Sequence, residues 1–467
     1  MPPQAPTVEL PKRLPLVITP ENRGDTPAKD AKLVNCYCEK TETGDYWIYG
    51  RPGLLRQSQP SGGAAVGRGL FNWLGNIYSI FGATIYKDGV SIGTVDTTNG
   101  VYRFDSCLGA TPKLQLGNGV KAYNYDASGG LVEITDGQFP TSFVKGWAYL
   151  DGTTYVGLPT AYIQGSEIND PVNWDVLNTI LAQIEPDRGV ALAKQLVYVI
   201  FMKQWTTEVF YDAGNATGSP LGSVQGAKVS YGCITADGVA GVDDILLWPS
   251  TNKSAAAQII KLEGLKAEIV STDPVERLLD GADFTTTYSF TVKKRGHRFY
   301  ILTVVASNLT LAYDLDSQMW SQWTDASGNY FPFVAATHTT GLTTLLQHAS
   351  NGRIYTFDES YATDDDEIIT HDLVTPNFDG GTRRRKTLEL MLFVADQTAG
   401  STLKVRVNDN DYDPAKWTNF REVDLSQERP YLEHCGTFTR RAHHFRHQSP
   451  TQFRIQAVEL QLDLGTL

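Results

Sequence analysis

The sequence is poor in cysteine and has no long hydrophobic run. Its 467 residues contain five cysteines, an odd number spread thinly over the chain, which argues against a disulfide-stabilised secreted scaffold. Apolar stretches such as 196–202 and 299–305 have the length of a strand and fall far short of the run of about 20 residues that crosses a bilayer. The start has no basic segment followed by an apolar one. We therefore expect a soluble protein without a signal peptide.

Signature motifs of enzymes are also missing. The sequence contains no GxSxG elbow, no HExxH helix and no phosphate-binding P-loop. Carboxylates are plentiful, but they occur singly at predicted strand ends and turns, whereas glycoside cleavage needs two carboxylates about 5–10 Å apart beside an aromatic platform. The sequence thus predicts a protein that is not an enzyme and uses no cofactor.

Positive charge is the minority sign, since 52 acidic residues outweigh 40 basic ones and leave a net charge of −12. Such a balance opposes tight binding of nucleic acid. The basic residues nevertheless form two clusters, which are either solvated loops or a surface for phosphates or an acidic partner. An acidic partner could be the run 243–244 or 364–367 of a neighbouring copy. The clustered residues are Arg383, Arg384, Arg385 and Lys386, and Arg440, Arg441 and Arg446.

Half of the eight histidines lie in the stretch 434–447, which also contains Cys435. Imidazole and thiolate are ligands that zinc prefers, but no paired CxxC-type spacing fixes a tetrahedral geometry, and nearby arginines oppose a cation. We expect a basic solvated or interface hairpin here and no metal site. Metal binding by His434, His443, His444 and His447 is the alternative.

Short β-branched and aromatic runs that end in Gly, Asn or Asp turns dominate residues 65–360. Hairpins recur at a spacing of roughly 40–50 residues, which suits propeller blades. We predict an all-β fold with an irregular β-propeller of about six blades; an irregular array of β-sandwiches is the alternative. Two helices are predicted to interrupt it, an amphipathic one over 175–185 and a capped one that begins at Asp273-Pro274.

The two ends of the chain differ from this pattern. Seven of the 22 prolines lie in the first 27 residues, which favours an extended arm without a core of its own. After residue 363 longer alternating strands begin, and these indicate a separate C-terminal β-sandwich. The predicted organisation is an extended arm over 1–35, the β-propeller over 36–362 and the sandwich over 363–467.

Several loose motifs follow one another along the chain. They are Leu33-Val34-Asn35-Cys36-Tyr37, Arg51-Pro52-Gly53-Leu54, Glu185-Pro186-Asp187-Arg188-Gly189, Tyr231-Gly232-Cys233-Ile234 and Gly436-Thr437-Phe438-Thr439-Arg440-Arg441. Their order, over most of the chain, resembles the packaged-DNA stabilisation family of short-tailed bacteriophages (podoviruses), also described as the tail hub or nozzle. None of the motifs is a catalytic signature, and the Pro-rich start and the histidine-rich stretch depart from the family pattern.

The resemblance implies a structural protein of the virion tail that is made in the bacterial cytoplasm. Six copies would form a ring below the portal–adaptor complex, close the channel to retain packaged DNA until ejection, and support the tail needle and the tailspikes or fibres. The implied partners are further copies of the chain, the portal–adaptor ring, the needle and fibre proteins, and double-stranded DNA that passes without tight binding. A propeller-type receptor protein that binds or cleaves glycans is the alternative.

Overall fold

The computed structural model describes residues 12–16, 31–41, 46–108, 111–215, 217–224, 226–341 and 343–465. These residues fall into two compact units. We call Leu55–Asp316 with Tyr330–Asp358 the propeller unit, and Met1–Leu54 with Ser317–Asn329 and Glu359–Leu467 the terminal unit. Most of the predicted proline-rich arm lies outside the described residues.

Five strands precede the repeated hairpins. They are β1 (Lys12–Arg13), β2 (Lys32–Val34), β3 (Cys36–Lys40), β4 (Tyr46–Gly50) and β5 (Gly53–Ser58).

The propeller unit is built from successive antiparallel hairpins, and five of its sheets have four strands each. Left-handed glycines such as Gly89 and Gly152 occupy the tight turns between strands, where a side chain at positive φ would be strained. The strands of these five sheets are β6 (Gly67–Trp73), β7 (Asn76–Phe81), β8 (Thr84–Lys87), β9 (Val90–Thr94); β10 (Arg103–Cys107), β11 (Lys113–Gly117), β12 (Ala122–Asp126), β13 (Gly130–Glu133); β14 (Ala148–Leu150), β15 (Thr153–Gly157), β16 (Tyr162–Glu167), β17 (Asp170–Leu181); β18 (Gly189–Gln195), β19 (Tyr198–Lys203), β20 (Thr207–Asp212), β21 (Leu221–Ser223); and β22 (Ala240–Val242), β23 (Ile245–Asn252), β24 (Ala255–Glu263), β25 (Lys266–Ile269).

Two further hairpin sheets complete the propeller unit. The strand β30 packs against β6 of the first sheet, and β5, which precedes that sheet in the chain, lies beside β32 of the last one. A strand from the start of the chain thus closes the ring of sheets. The remaining elements of this part of the chain are α1 (Asp273–Leu279), β26 (Thr287–Lys294), β27 (His297–Val304), β28 (Leu309–Asp314), β29 (Met319–Gln322), which belongs to the terminal unit, β30 (Phe333–His338), β31 (Thr344–His348) and β32 (Ile354–Asp358), with short 3-10 helices at Ala236–Gly238 and Val305–Ser307.

The predicted all-β fold with a propeller of about six blades is confirmed. The predicted helix at Asp273-Pro274 is confirmed as α1, with Pro274 in its first turn, but its N-cap residue is Thr272 and no side chain caps it by a hydrogen bond.

The predicted helix over 175–185 is wrong, because these residues form the outer strand β17 and the loop after it. Its apolar residues occur at a helical spacing, yet a four-stranded sheet needs an edge strand at this place, and pairing with β16 overrides the local pattern. Between Trp174 and Thr179 the register with β16 is interrupted, so that residues 175–178 bulge out of the sheet.

The terminal unit is a sandwich of two sheets. One has the strand order β29-β2-β35-β41-β37-β38 and the other β3-β4-β42-β36-β39, with β1 beside β42 and β40 beside β36. The remaining strands are β33 (Thr363–Asp364), β34 (Glu367–Ile368), β35 (His371–Val374), β36 (Lys386–Ala395), β37 (Thr402–Asn408), β38 (Arg421–Asp424), β39 (Tyr431–Glu433), β40 (Thr437–Phe438), β41 (Ala442–His447) and β42 (Arg454–Leu464), with a 3-10 helix at Pro414–Lys416.

A single core lies between these two sheets. It joins Leu373 and Phe445 of the first sheet to Ile48 and Leu460 of the second, and Leu14 of the N-terminal segment is buried in it. Strands β1 to β4, which the sequence analysis placed in the arm and the propeller, therefore complete the C-terminal sandwich. Among the described residues, no helix is long and apolar enough to cross a membrane.

Candidate functional site

Two of the motifs that carry the family resemblance meet in the terminal unit. Asn35 is fully buried and has a left-handed backbone with φ of 54°. Its Oδ1 accepts a hydrogen bond from Nε of Arg51 (2.9 Å) and another from the backbone N–H of Thr324 (2.8 Å), and its Nδ2 donates to the carbonyl of Thr370 (2.9 Å). Asn35 thus joins three distant segments of the chain.

The guanidinium of Arg51 extends this cluster. It donates to both carboxylate oxygens of Asp364 and to the carbonyl of Thr324, and its side chain is fully shielded from solvent. The motif glycine Gly53 follows, and a Cβ there would lie 2.4 Å from the carbonyl oxygen of Thr363. Arg51, Pro52 and Gly53 are therefore structural residues that fasten the N-terminal segment to β33.

The predicted basic clusters also lie in the terminal unit, and two of their members are buried. Lys386 donates to the carbonyls of Thr382, Arg384 and Thr439. Arg441 binds the carboxylate of Asp409 through Nε and Nη2 (2.6 and 2.8 Å) and lies over the ring of Phe438. Because these groups already have internal partners, they are not available to bind phosphate or another chain.

Two more arginines of the predicted set have internal carboxylate partners. Arg446 makes a two-pronged contact with Asp372 (2.7 and 2.8 Å), and Arg440 pairs with Asp411 at the surface (2.7 Å). Nε2 of His444 also contacts Asp372 (2.7 Å). Burial alone would raise the pKa of the Asp372 carboxyl, but the contacts with His444 and Arg446 keep this pKa well below its ordinary value.

The exposed remainder of the basic clusters forms one end of the sandwich, which we call the basic end. Arg383 and Arg385 are exposed and Arg384 is half-buried; Arg385 donates to Oγ1 of Thr437, and Arg384 to the carbonyl of Gly465. Lys12 also lies at this end, which no sequence pattern indicated. Its Nζ donates to the carbonyl of Gly380 (2.9 Å). Pairing of β1 with β42 could not be read from the sequence. The basic end comprises Lys12, Arg383, Arg384 and Arg385.

The histidine-rich stretch is not the basic solvated or interface hairpin that we expected, although His434 at its start is exposed. Strand β41 is an inner strand of its sheet, between β35 and β37, so His443, His444 and His447 are buried. Burial lowers the pKa of His443 to about 3 and that of His447 to about 4, and both are neutral at pH 7. Within the described part of the chain, no group of three His, Cys, Asp or Glu side chains could hold a metal ion.

One residue of each acidic run that was proposed as a partner for the basic clusters forms an ion pair within its own chain. Asp243 pairs with Lys293 and Arg298 in the propeller unit, and Asp364 pairs with Arg51 in the terminal unit. The charges of Asp243 and Asp364 are therefore already balanced by basic groups of the same chain, whereas Asp366 and Glu367 are exposed.

A polar cavity of about 580 Å³ opens in the propeller unit, where several inner strands begin. Nζ of Lys145 contacts both carboxylate oxygens of Asp237 there (2.9 and 2.7 Å). Burial lowers the pKa of Lys145, while Asp237 opposes that change. Lys145 and Asp237 join the segments that precede β14 and β22, and the cavity lining also contains Asp283 and the aromatic rings of Phe143 and Phe284.

Comparison with solved structures gives matches of low similarity. The protein BamB from Moraxella catarrhalis is 10% identical, with a TM-score of 0.37, over 66% of this chain and 97% of its own. The virginiamycin B lyase from Staphylococcus aureus is 8% identical, with a TM-score of 0.38, over 73% of this chain and 98% of its own. We draw no argument about function from likenesses at this level.

No curated protein sequence matches the chain. A family model does: the family described as "Bacteriophage P22 Gp10, beta-propeller" matches residues 31–359. The matched segment begins before Asn35 and ends just after β32, so it includes Asn35, Arg51 and all the propeller hairpins. The chain therefore belongs to this packaged-DNA stabilisation family of bacteriophage β-propeller proteins, as the order of its motifs predicted.

Proposed function

We propose that this protein forms a ring below the portal–adaptor complex of a short-tailed phage, closes the channel to retain packaged DNA, and carries the tail needle and the tailspikes or fibres. The family match over residues 31–359 carries this proposal. In this role the protein is a structural part of the virion tail with no catalytic task, and its partners are further copies of itself, the adaptor ring, the needle and fibre proteins, and the DNA that passes through.

The charge distribution supports a channel that does not grip DNA. The chain has a net charge of −12, and its buried basic side chains, such as Arg441 and Lys203, are neutralised by carboxylates of the same chain. Tight DNA binding requires many lysine and arginine contacts to phosphates. A surface that lacks them lets DNA leave rapidly during ejection.

The decisive experiment measures the DNA content of phage particles assembled without this protein. We expect such heads to lose their genome, so that little DNA is protected from nuclease, and we expect purified protein to restore protection when it is added before the DNA leaks. A matched control adds the same protein after heat denaturation. Heads that stay full but fail to adsorb to the host would refute DNA retention and point to the glycan-binding alternative.

A further inference from the structure

An exposed apolar ridge runs along the outer edge of the third propeller sheet. We call Val176, Leu177, Leu181 and Ile184 of β17 and the loop after it the ridge. Leu177 is 73% exposed and Val176 is 54% exposed. Soluble proteins rarely leave several large apolar side chains adjacent on an edge strand, because such an edge promotes association with another chain.

The backbone of the ridge is held in a defined shape. Residues 175–178 bulge from the sheet, and the Asp175 carboxylate accepts a hydrogen bond from the N–H of Leu177 (2.8 Å). Nδ2 of Asn178 donates to the carbonyl of Ser166 (3.0 Å) and ties the bulge to β16. The two most prominent side chains are therefore presented on a fixed turn, and little conformational entropy is lost when they bind.

The part of the chain that forms the ridge carries negative charge, although Asp170 and Glu185 are each paired with a lysine. The segment 162–186, which contains β16 and β17, includes four acidic residues and no lysine or arginine. Glu185 is paired with Lys228, whereas Glu167 is exposed at the tip of the hairpin. A partner of this surface should combine apolar contact area with positive charge.

The basic end of the terminal unit has this chemistry. Within the described residues, Lys12, Arg383, Arg384 and Arg385 form no ion pair, and Leu464, which pairs with Lys386 in the sheet, is 38% exposed beside them. Arginine side chains cover apolar groups with their stems and attract carboxylates with their heads, and they are enriched in protein interfaces.

From this complementarity we infer that the ridge of one copy docks on the basic end of the next copy. The two surfaces differ, so the contact is heterologous, and repeated heterologous contacts generate a ring if the rotation closes. The inference rests on the proposed ring and names the surfaces that join its subunits. It replaces the acidic runs at 243–244 and 364–367 as the counter-surface of the basic clusters.

The test uses two variants that each disable one surface. Leu177→Lys removes the apolar tip of the ridge and adds a charge that the basic end repels, and the double variant Arg383→Ser with Arg385→Ser removes charge from the basic end. The matched control is Val90→Lys, which changes an apolar residue of similar exposure (68%) on another sheet. Sedimentation velocity reports the assembly state, and circular dichroism shows that each variant folds.

We expect the wild type and Val90→Lys to form rings and each surface variant to remain monomeric, with a subunit dissociation constant raised about 30-fold or more, as for an interface hot spot. A mixture of the two surface variants should give dimers that do not grow, because such a pair retains one intact ridge and one intact basic end. Rings of the surface variants, or a mixture that stays monomeric, would overturn the inference while the ring itself stands. A wild type that remains monomeric even with the portal–adaptor complex would instead refute the proposed function.

Discussion

The propeller unit and the terminal unit differ in how far apart in sequence their paired strands lie. In the propeller, the described strands pair with the next one along the chain, as in β6-β7-β8-β9, and β5 joins from an earlier part of the chain. In the terminal unit, β2 lies between β29 and β35, and β42 lies between β4 and β36. Local hairpins need little loop-closure entropy, whereas distant pairings need further contacts to specify them.

One buried ion pair in each unit illustrates the same division. In the propeller, the fully buried Lys203 is paired with Asp187 and Glu208, which are nearby in sequence. In the terminal unit, the buried Arg51 pairs with Asp364, 313 residues away. From this difference we infer that each blade of the propeller is determined mainly by its own stretch of sequence. The fold of the terminal unit depends on contacts between the first and the last part of the chain, such as that of Arg51 with Asp364.

The largest effect should come from the propeller. Lys203→Met leaves two buried carboxylates without their cation, and breaking a buried ion pair in this way costs about 3–5 kcal/mol. We expect amide hydrogen exchange to accelerate first in β18 to β20, with the terminal unit little changed. Lys194→Met, at an exposed lysine of the same sheet, is the control. Equal acceleration in both units would show that they do not differ in the way described.

Lowering the pH should change the stability of the two units in opposite directions. The pKa of His443 is lowered to about 3 and that of His447 to about 4 by burial, whereas an unfolded histidine titrates near 6.5. Below pH 6.5 the unfolded state therefore binds more protons, and the terminal unit should lose about 2 kcal/mol for each histidine between pH 7 and pH 5.

Asp105 in the propeller responds in the opposite direction. Burial raises its pKa to about 6, although hydrogen bonds from the N–H groups of Ser106 and Tyr149 oppose this. An unfolded aspartate titrates near 3.9, so the folded state binds more protons and the propeller should gain about 1 kcal/mol over the same interval. Hydrogen exchange at pH 7 and pH 5, corrected for intrinsic rates, measures both effects, and His447→Gln should remove part of the loss.

A smaller effect is expected from the polar cluster of the terminal unit. Arg51→Met removes charged hydrogen bonds to Asp364 and Asn35, each worth more than a neutral bond, and we expect a loss of about 2–3 kcal/mol confined to the terminal unit. Urea unfolding followed by exchange in β2 and β35 provides the measurement. Unchanged protection of both strands would contradict the role given to Arg51.

The smallest effect should come from the surface. Arg440 pairs with Asp411, but the two side chains are 52% and 43% exposed, and exposed ion pairs contribute about 0–1 kcal/mol. Arg440→Ala should therefore shift the urea midpoint by an amount close to the error of the measurement. A loss as large as that of Arg51→Met would mean that Arg440 makes a further contact.

How much could be predicted depended on the distance along the chain over which each feature is determined. The hairpins and the helix α1 follow from turn glycines, alternation and Pro274, all within a few residues. The helical spacing of Val176, Leu177, Leu181 and Ile184 misled, because the sheet's need for an outer strand is not a local property. The same holds for the placement of Lys12 beside Gly380 and for the burial of β41, which neighbouring strands determine.

The pairing of β2 and β4 with strands near the other end of the chain has a consequence for biosynthesis. While the ribosome makes the propeller hairpins, β2, β3 and β4 have already emerged, but β35, β36 and β42 do not yet exist. The hydrogen-bonding edges of these strands therefore stay unpaired during most of translation, and unpaired edges favour aggregation. A chain that stops directly after β32 carries a complete set of propeller hairpins and an unfinished sandwich. Such a chain lacks Arg383, Arg384 and Arg385 and has no basic end to present to a neighbour.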